Sequence, residues 1–229
     1  VFISFENAAG YFPARKTVLS GNPVRENLFS GNKAEAVRFF NLDSGRKTIL
    51  FLAGSQGARF INNLLINSLI ELVKDYQIIH QTGINNFEQV KKEVDMMKNE
   101  GRSGFGREIE KNYRAYSFLN EEELKNAFAG SDLAVSRSGS GIFEIAALAK
   151  PSIVIPYPYS AGNHQRGNAS EFAKFGAVVL EEENLKPHIL IDQIKHLLDN
   201  PAAGERIRQF AKLDAGKTIA EEIIRKFDF

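Results

Sequence analysis

The stretch DLAVSRSGSGIFEIAALAKPSIVIPYPYSAGNHQRGN, residues 132–168, decides how the rest of the chain is read. Asp132 to Ser136 is a short, mostly apolar run, and Ser138, Gly139, Ser140 and Gly141 make a turn with little side-chain bulk. Ile142 to Leu148 has helical composition. Ser152 to Ile155 is a β-branched run that Pro156 and Pro158 end. The order is strand, small-residue turn, helix, strand, loop and helix start. A small-residue turn that opens a helix presents unpaired backbone N–H groups and the positive end of the helix dipole, which suits phosphate. Glu144 stands in the first turn of that helix. Its carboxylate repels phosphate but accepts hydrogen bonds from vicinal hydroxyls such as those of a ribose, and the two features together are the grammar of a nucleotide site. The dinucleotide fingerprint is excluded, because Glu144 stands where its third glycine belongs. That Glu144 is an ordinary first-turn helix acid stays open.

Working outward, TILFLA (48–53) is a buried-strand pattern that feeds GSQGAR (54–59). The helix beyond carries Ile61, Leu64, Leu65, Leu69 and Leu72 near helical spacing. Ser55 and the two glycines offer a second phosphate contact, or simply a tight turn. The missing G-K-[ST] ending argues against nucleoside triphosphate hydrolysis. QIIH (77–80) reads as a strand, Asn85 to about Asn99 as a helix, and residues 100–111 as a mobile loop. Tyr113 to Phe118 is a strand and Glu121 to Phe128 a helix. After the central stretch come a helix beyond Asn163, a strand at Ala177 to Leu180, and two or three helices to Phe229. On the N-terminal side, Val1 to Phe5 reads as a strand and Thr17 to Leu19 as a second short run. Asn22-Pro23 is a turn with Arg25 just beyond it, and residues 26–46 form a connector with a short helix.

Strands alternating with helices of this length mean an α/β fold with a doubly wound, Rossmann-like parallel sheet. Ligands bind such sheets at the carboxyl ends of the strands, so the turns after Ala53, His80, Phe118, Ser136 and Ile155 share one rim. His80 either lines the site or caps its strand. In SAGNHQRGNA (160–169), His164, Gln165 and Asn168 are polar groups at a helix start. They are placed to grip sugar hydroxyls or to stand solvated on an N-capped surface helix.

The chain has 229 residues, 43% hydrophobic and 25% charged, which is the composition of a globular protein. Its length allows one large domain, or one domain plus pieces of another. A net charge of +1 argues against nucleic acid as an electrostatically captured partner. The absence of cysteine removes disulfides and thiolate metal sites, which fits the cytosol. No pair of histidines has metal-ligand spacing, so neither a metal nor another cofactor is expected. No apolar run approaches the roughly 20 residues of a spanning helix, and no signal peptide opens the chain. Val1 stands inside an apparent strand without a preceding Met, so the chain is read as a fragment.

SGNPVR (20–25), GSQGAR (54–59), HQTG (80–83), SRSGSGIFEIAALAKP (136–151) and HQRGNA (164–169) occur here in a fixed order. Together they resemble the motifs of the MurG family of bacterial glycosyltransferases. Members of that family, which are hexosyltransferases, convert lipid I into lipid II in peptidoglycan synthesis, with UDP-N-acetylglucosamine as donor. The resemblance covers nearly the whole chain and implies the C-terminal, donor-binding half of a GT-B fold. It implies that residues 21–229 form the donor-binding domain and that residues 1–20 are a remnant of an N-terminal domain or a linker.

The family's roles fall on matching positions. Glu144 would hold the ribose hydroxyls. Ser138 to Gly141, including Ser140, would face the diphosphate with Ser55, and Arg25 would lie near it. The backbone at Phe118 and Leu119 would read uracil, and His164, Gln165 and Asn168 the sugar. Inverting transfer without a metal follows, with lipid I bound by the N-terminal half, where the catalytic group and the membrane-facing patch are also expected. The full-length enzyme would be cytoplasmic and peripheral, at the inner face of the plasma membrane.

Three departures accompany the match. Ala53 replaces a glycine, the turn from Arg137 to Glu144 is one residue shorter than the family's, which is able to displace Glu144, and the N-terminal half is missing. Two other readings share the fold's logic. One is a nucleotide-sugar-binding subunit that works with a separate partner chain. The other is a UDP-N-acetylglucosamine 2-epimerase, whose additional catalytic carboxylates are not evident here.

Overall fold

The computed structural model describes residues 1–54, 57–99, 104–200 and 202–227. A parallel pair, β1 (Phe2–Ile3) with β2 (Val18–Leu19), precedes the main sheet. The sheet has six strands: β3 (Thr48–Leu52), β4 (Gln77–Gln81), β5 (Tyr113–Tyr116), β6 (Leu133–Ser136), β7 (Ser152–Val154) and β8 (Val178–Val179). All are parallel, in the order β5-β4-β3-β6-β7-β8. The chain therefore winds outward from β3 in one direction, returns, and winds outward from β6 in the other. The reversal point lies between β3 and β6, where such sheets leave a crevice at their carboxyl edge.

The central strands β3 and β6 are nearly continuous apolar runs because both faces are covered. Ile49 and Phe51 of β3 face one core with Leu133 and Val135 of β6, Ile153 of β7 and Ile78 of β4. Leu50, Ala134, Val154 and Ile79 face the other. The first core is closed by α2 (Arg59–Asp75), α3 (Phe87–Asn99), α4 (Gly106–Asn112) and α8 (Pro187–Leu198). The second is closed by α5 (Glu121–Gly130), α6 (Gly141–Ala147), α7 (His164–Ala173) and α9 (Ala203–Arg208), with Phe40 from the end of α1 (Lys33–Phe39). A final helix, α10, spans Ala215–Phe227. The apolar stripe of α2 falls as its spacing predicts, with Ile61, Leu64, Leu65, Leu69 and Leu72 all buried. Each fully buried side chain of this kind contributes about 1.5–3 kcal/mol.

Caps set two helix starts. Asn32 accepts hydrogen bonds from the backbone N–H groups of Ala34 and Glu35 at the head of α1. Asn120 and Glu123 exchange hydrogen bonds with each other's backbone N–H at the head of α5, a capping box.

The structure corrects three expectations. The loop expected at 100–111 contains α4, which buries Ile109 and is tied by Asn112 Nδ2 to the Val73 carbonyl at 2.9 Å. Residues 100–103 lie outside the described residues. The first strand is only Phe2–Ile3, because Phe5 leaves it to pack against Phe143 and Phe210, at ring-centroid distances of 5.4 and 5.7 Å. His80 neither lines the rim nor caps β4. It is fully buried, with Nδ1 2.8 Å from the Tyr113 hydroxyl and Nε2 2.9 Å from Asn62 Oδ1.

Candidate functional site

A cavity of about 650 Å³ opens where the sheet order reverses. Its walls are the ends of β3 (Leu52, Gly54), β4 (Gln81) and β6 (Ser136, Arg137), the turn Gly139 to Gly141, and Glu144 and Ile145 of α6. Asn22, Pro23 and Arg25 close it from the N-terminal side, and Leu124 of α5 from another.

The turn is small for a reason other than crowding. A Cβ added at Gly139 or Gly141 would meet nothing within 4 Å, and neither has a positive φ. The fold therefore leaves open space over this turn. Among the described residues, no hydrogen bond from the N–H groups of Gly139, Ser140 or Gly141 is found. Free donors over an open cavity are what an anion needs. Gly54 and Gly57 differ, for both have left-handed φ (+78° and +89°), and a Cβ at Gly57 would lie 2.8 Å from the Thr82 carbonyl oxygen. Ser55 lies outside the described residues.

Glu144, mostly buried, is bonded by Arg25 in a two-pronged fork: Nε to Oε1 at 2.7 Å and Nη2 to Oε2 at 2.8 Å. The hydrogen bond to Glu144 raises the Arg25 pKa, against the smaller effect of burial. Arg25, expected beside a diphosphate, thus reaches the cavity but is paired with the carboxylate expected to hold a ribose. A carboxylate has about four acceptor sites, and the fork takes two. Glu144 retains capacity for vicinal hydroxyls.

An adjoining recess of about 560 Å³ shares Gly54 and Arg137 with the first and adds Gly57, Arg59, Tyr157, Gln165 and Glu182. Arg137 forms an ion pair with Glu182, donates from Nη1 to the Ile155 carbonyl at 3.0 Å, and lies 5.3 Å from the centre of the Tyr157 ring. Gln165 lines this recess, and its Oε1 accepts the Tyr157 N–H at 2.9 Å. Asn168 donates from Nδ2 to the Ser138 carbonyl at 2.9 Å, while Ser138 Oγ donates to the Gln165 carbonyl at 2.7 Å. These bonds fasten α7 to the turn. His164 is exposed, with Nδ1 2.7 Å from the Ala161 carbonyl oxygen. Among the described residues no group of three His, Asp or Glu side chains is placed to hold a metal ion.

The structure thus gathers Arg25, Ser140, Gly141 and Glu144 in one cavity, with Gln165 next door. His164, Asn168, Phe118 and Leu119 line neither. Phe118 is exposed and Leu119 buried. The Leu119 N–H, expected to read a base, is already bonded to Gln81 Oε1 at 3.0 Å, so that donor is not free. Sequence reasoning passed over Gln81 and Arg137. The signal for Gln81 was weak, since β4 also carries the polar residues Gln77 and His80.

The family model described as "Glycosyltransferase family 28 C-terminal domain" matches residues 48–223. The N-acetylglucosamine transferase of Thermodesulfovibrio yellowstonii named for UDP-N-acetylglucosamine and N-acetylmuramyl-(pentapeptide) pyrophosphoryl-undecaprenol is 35% identical over 230 residues, covering 98% of this chain and 58% of the relative. Its counterpart from Flavobacterium psychrophilum is 37% identical over 234 residues, covering 98% and 59%. The chain thus spans less than two thirds of the length of these curated relatives. Among solved structures, that of Acinetobacter baumannii MurG superposes with a TM-score of 0.72 at 21% identity, over 98% of this chain and 60% of that one. It shares the fold.

Proposed function

The chain belongs to the glycosyltransferase family 28 C-terminal domain family, and on that premise we propose that it binds UDP-N-acetylglucosamine as the donor half of a bacterial N-acetylglucosamine transferase. One observation carries this reading: a carboxylate, Glu144, and the unpaired N–H groups of Gly139 to Gly141 face one cavity at the reversal point of the sheet. Hydroxyls and phosphates are thereby offered different partners in one cavity, as a nucleoside diphosphate requires. Residues 21–229 form the donor-binding unit, and residues 1–20 pack on it through Phe5.

The reaction is an inverting transfer. An acceptor hydroxyl attacks the anomeric carbon, the bond to the diphosphate oxygen breaks, and UDP leaves with the electron pair. The turn N–H groups stabilise the charge that develops on the leaving oxygen. No residue of this chain is assigned as the base that takes the acceptor proton. The acceptor on this reading is lipid I and the product lipid II, which the names of the relatives support, and the work is then done at the inner face of the plasma membrane. Among the described residues no helix is long and apolar enough to cross a membrane, and attachment is peripheral.

Calorimetry of the chain with UDP-N-acetylglucosamine, in the presence of a chelator, tests the reading. Saturable binding with one donor per chain is expected. Absence of binding to the donor and to UDP would overturn it.

A further inference from the structure

The cavity and its recess lie at the carboxyl edge of the sheet, and a cluster of charges that neither uses stands at the opposite edge, where the strands begin. Lys33 opens α1, Lys47 precedes β3, Asp132 precedes β6 and Lys150 precedes β7. Asp132 Oδ1 lies 3.2 Å from Lys47 Nζ and 3.9 Å from Lys33 Nζ, while Oδ2 accepts the Thr48 N–H at 2.9 Å. The carboxylate is thus engaged by two lysines and a strand end. Lys150 Nζ donates instead to a carbonyl, that of Ser131, at 2.7 Å, and among the described residues it forms no ion pair. A partly buried ammonium with only a carbonyl beside it is poorly compensated, and a lysine in that position gives up its proton. Burial accordingly lowers the Lys150 pKa from the usual 10.5 to about 8, more than Asp132 restores, and Lys33 pushes it the same way. The bond to Ser131 straps the start of β7 to the start of β6. A strap needs no lost charge, however, and the uncharged amine carries a lone pair that the strap does not use.

We propose that Lys150 is an acylation site that takes acyl phosphates, with Lys33 and Lys47 holding the phosphate group. A partly desolvated lysine next to other cations is the setting that makes an amine nucleophilic. The two flanking ammonium groups lean on one oxygen of Asp132, so they stand close together, and both side chains are more than half exposed. They are reachable by an anion from solvent. In the reaction the Lys150 lone pair attacks the acyl carbon. A C–N bond forms as the C–O bond to phosphate breaks, phosphate leaves with the electron pair, and the surplus amine proton passes to water. The amide that results keeps one N–H for the Ser131 carbonyl, so the strap survives the modification while the charge is lost.

The test treats the chain at neutral pH with acetyl phosphate and, separately, with the uncharged ester p-nitrophenyl acetate, and follows acetylation at each lysine by mass spectrometry. Lys150 is expected to react with acetyl phosphate about tenfold or more faster than the exposed Lys217. The double variant Lys33→Gln, Lys47→Gln should slow Lys150 toward acetyl phosphate, relative to the ester, by about fivefold, the worth of two exposed ion pairs. Comparing the two reagents separates the holding of phosphate from any change in the amine itself. A Lys150 rate no greater than that of Lys217 would overturn the proposal, and so would an unchanged ratio between the reagents in the double variant. Should that variant melt well below the wild type, inorganic phosphate added to the wild type decides instead. Selective slowing of the acetyl phosphate reaction at Lys150 is then expected, and equal rates with and without phosphate overturn the proposal.

Discussion

Arg25 and Glu144 join across 119 positions of the chain through two parallel hydrogen bonds of 2.7 and 2.8 Å. The segment that runs from β2 toward α1 is thereby tied to the first turn of α6. With the arginine side chain 45% exposed and the glutamate 16%, solvent screens the pair partly. Its role is to aim a charged carboxylate more than to hold the fold.

Glu144→Ala should therefore cost affinity rather than stability. Losing charge-assisted hydrogen bonds to the ribose removes about 1.5–3 kcal/mol, roughly ten- to hundredfold in UDP affinity. The thermal midpoint should move little. Calorimetry and a melting curve on the same variant check both. Unchanged affinity with a lowered midpoint would make Glu144 only the partner of Arg25.

Glycines of the two turns should respond oppositely to alanine. At Gly141 the added methyl meets no neighbour and lies at the start of a helix. Stability should hold or rise by about 0.5 kcal/mol, while UDP affinity falls because the methyl enters the cavity. At Gly57 the left-handed φ and the nearby Thr82 carbonyl make alanine strained. A loss of roughly 1–3 kcal/mol is expected there. Denaturant midpoints and UDP titrations on the two variants separate the cases.

Acid should find His80. Burial pushes its pKa down from the ordinary value of 6.5 to about 3. The unfolded chain thus takes up a proton that the folded chain refuses. The neutral ring's contribution is fully present above pH 6.5 and is lost as pH falls from there toward 3, at roughly 1.4 kcal/mol per pH unit. His80→Gln should be less stable at pH 7, because the bonds to Tyr113 and Asn62 change, but flatter between pH 6 and 4. Urea unfolding at several pH values would show it, and parallel slopes would contradict it.

The central strand β3 was legible because it is apolar on both faces: Ile49, Leu50 and Phe51 need no alternation when two cores share them. Glu144 and the turn before it were legible because strand, turn and helix follow one another directly. What stayed hidden depends on distant partners. The helix α4 offers one buried apolar side chain, Ile109, among charges, too few points to show a period. Arg25 could be placed near the rim by its turn, but not on Glu144. Gln81 stood just past the run read as a strand, 77–80, and its bond to the Leu119 N–H, which arrives on another strand's turn, was out of reach of the sequence. The pinning of Gln165 and Asn168 to the Ser138 turn depends likewise on how α7 packs.

Behind Glu144, its neighbour Phe143 stacks on Phe210 at 5.0 Å and tilts against Phe5 at 5.4 Å. The carboxylate and this aromatic cluster stand on the same short turn, so a shift of one is carried mechanically to the other. Phe5 then acts as a remote gauge of the cavity. The chain contains no tryptophan, which makes the gauge readable: Phe5→Trp would place a single tryptophan outside the residues that line the cavity. Its emission should change as UDP-N-acetylglucosamine titrates, with the same midpoint as calorimetry. A tremor at the N-terminal flank would then report an event on the far side of a helix.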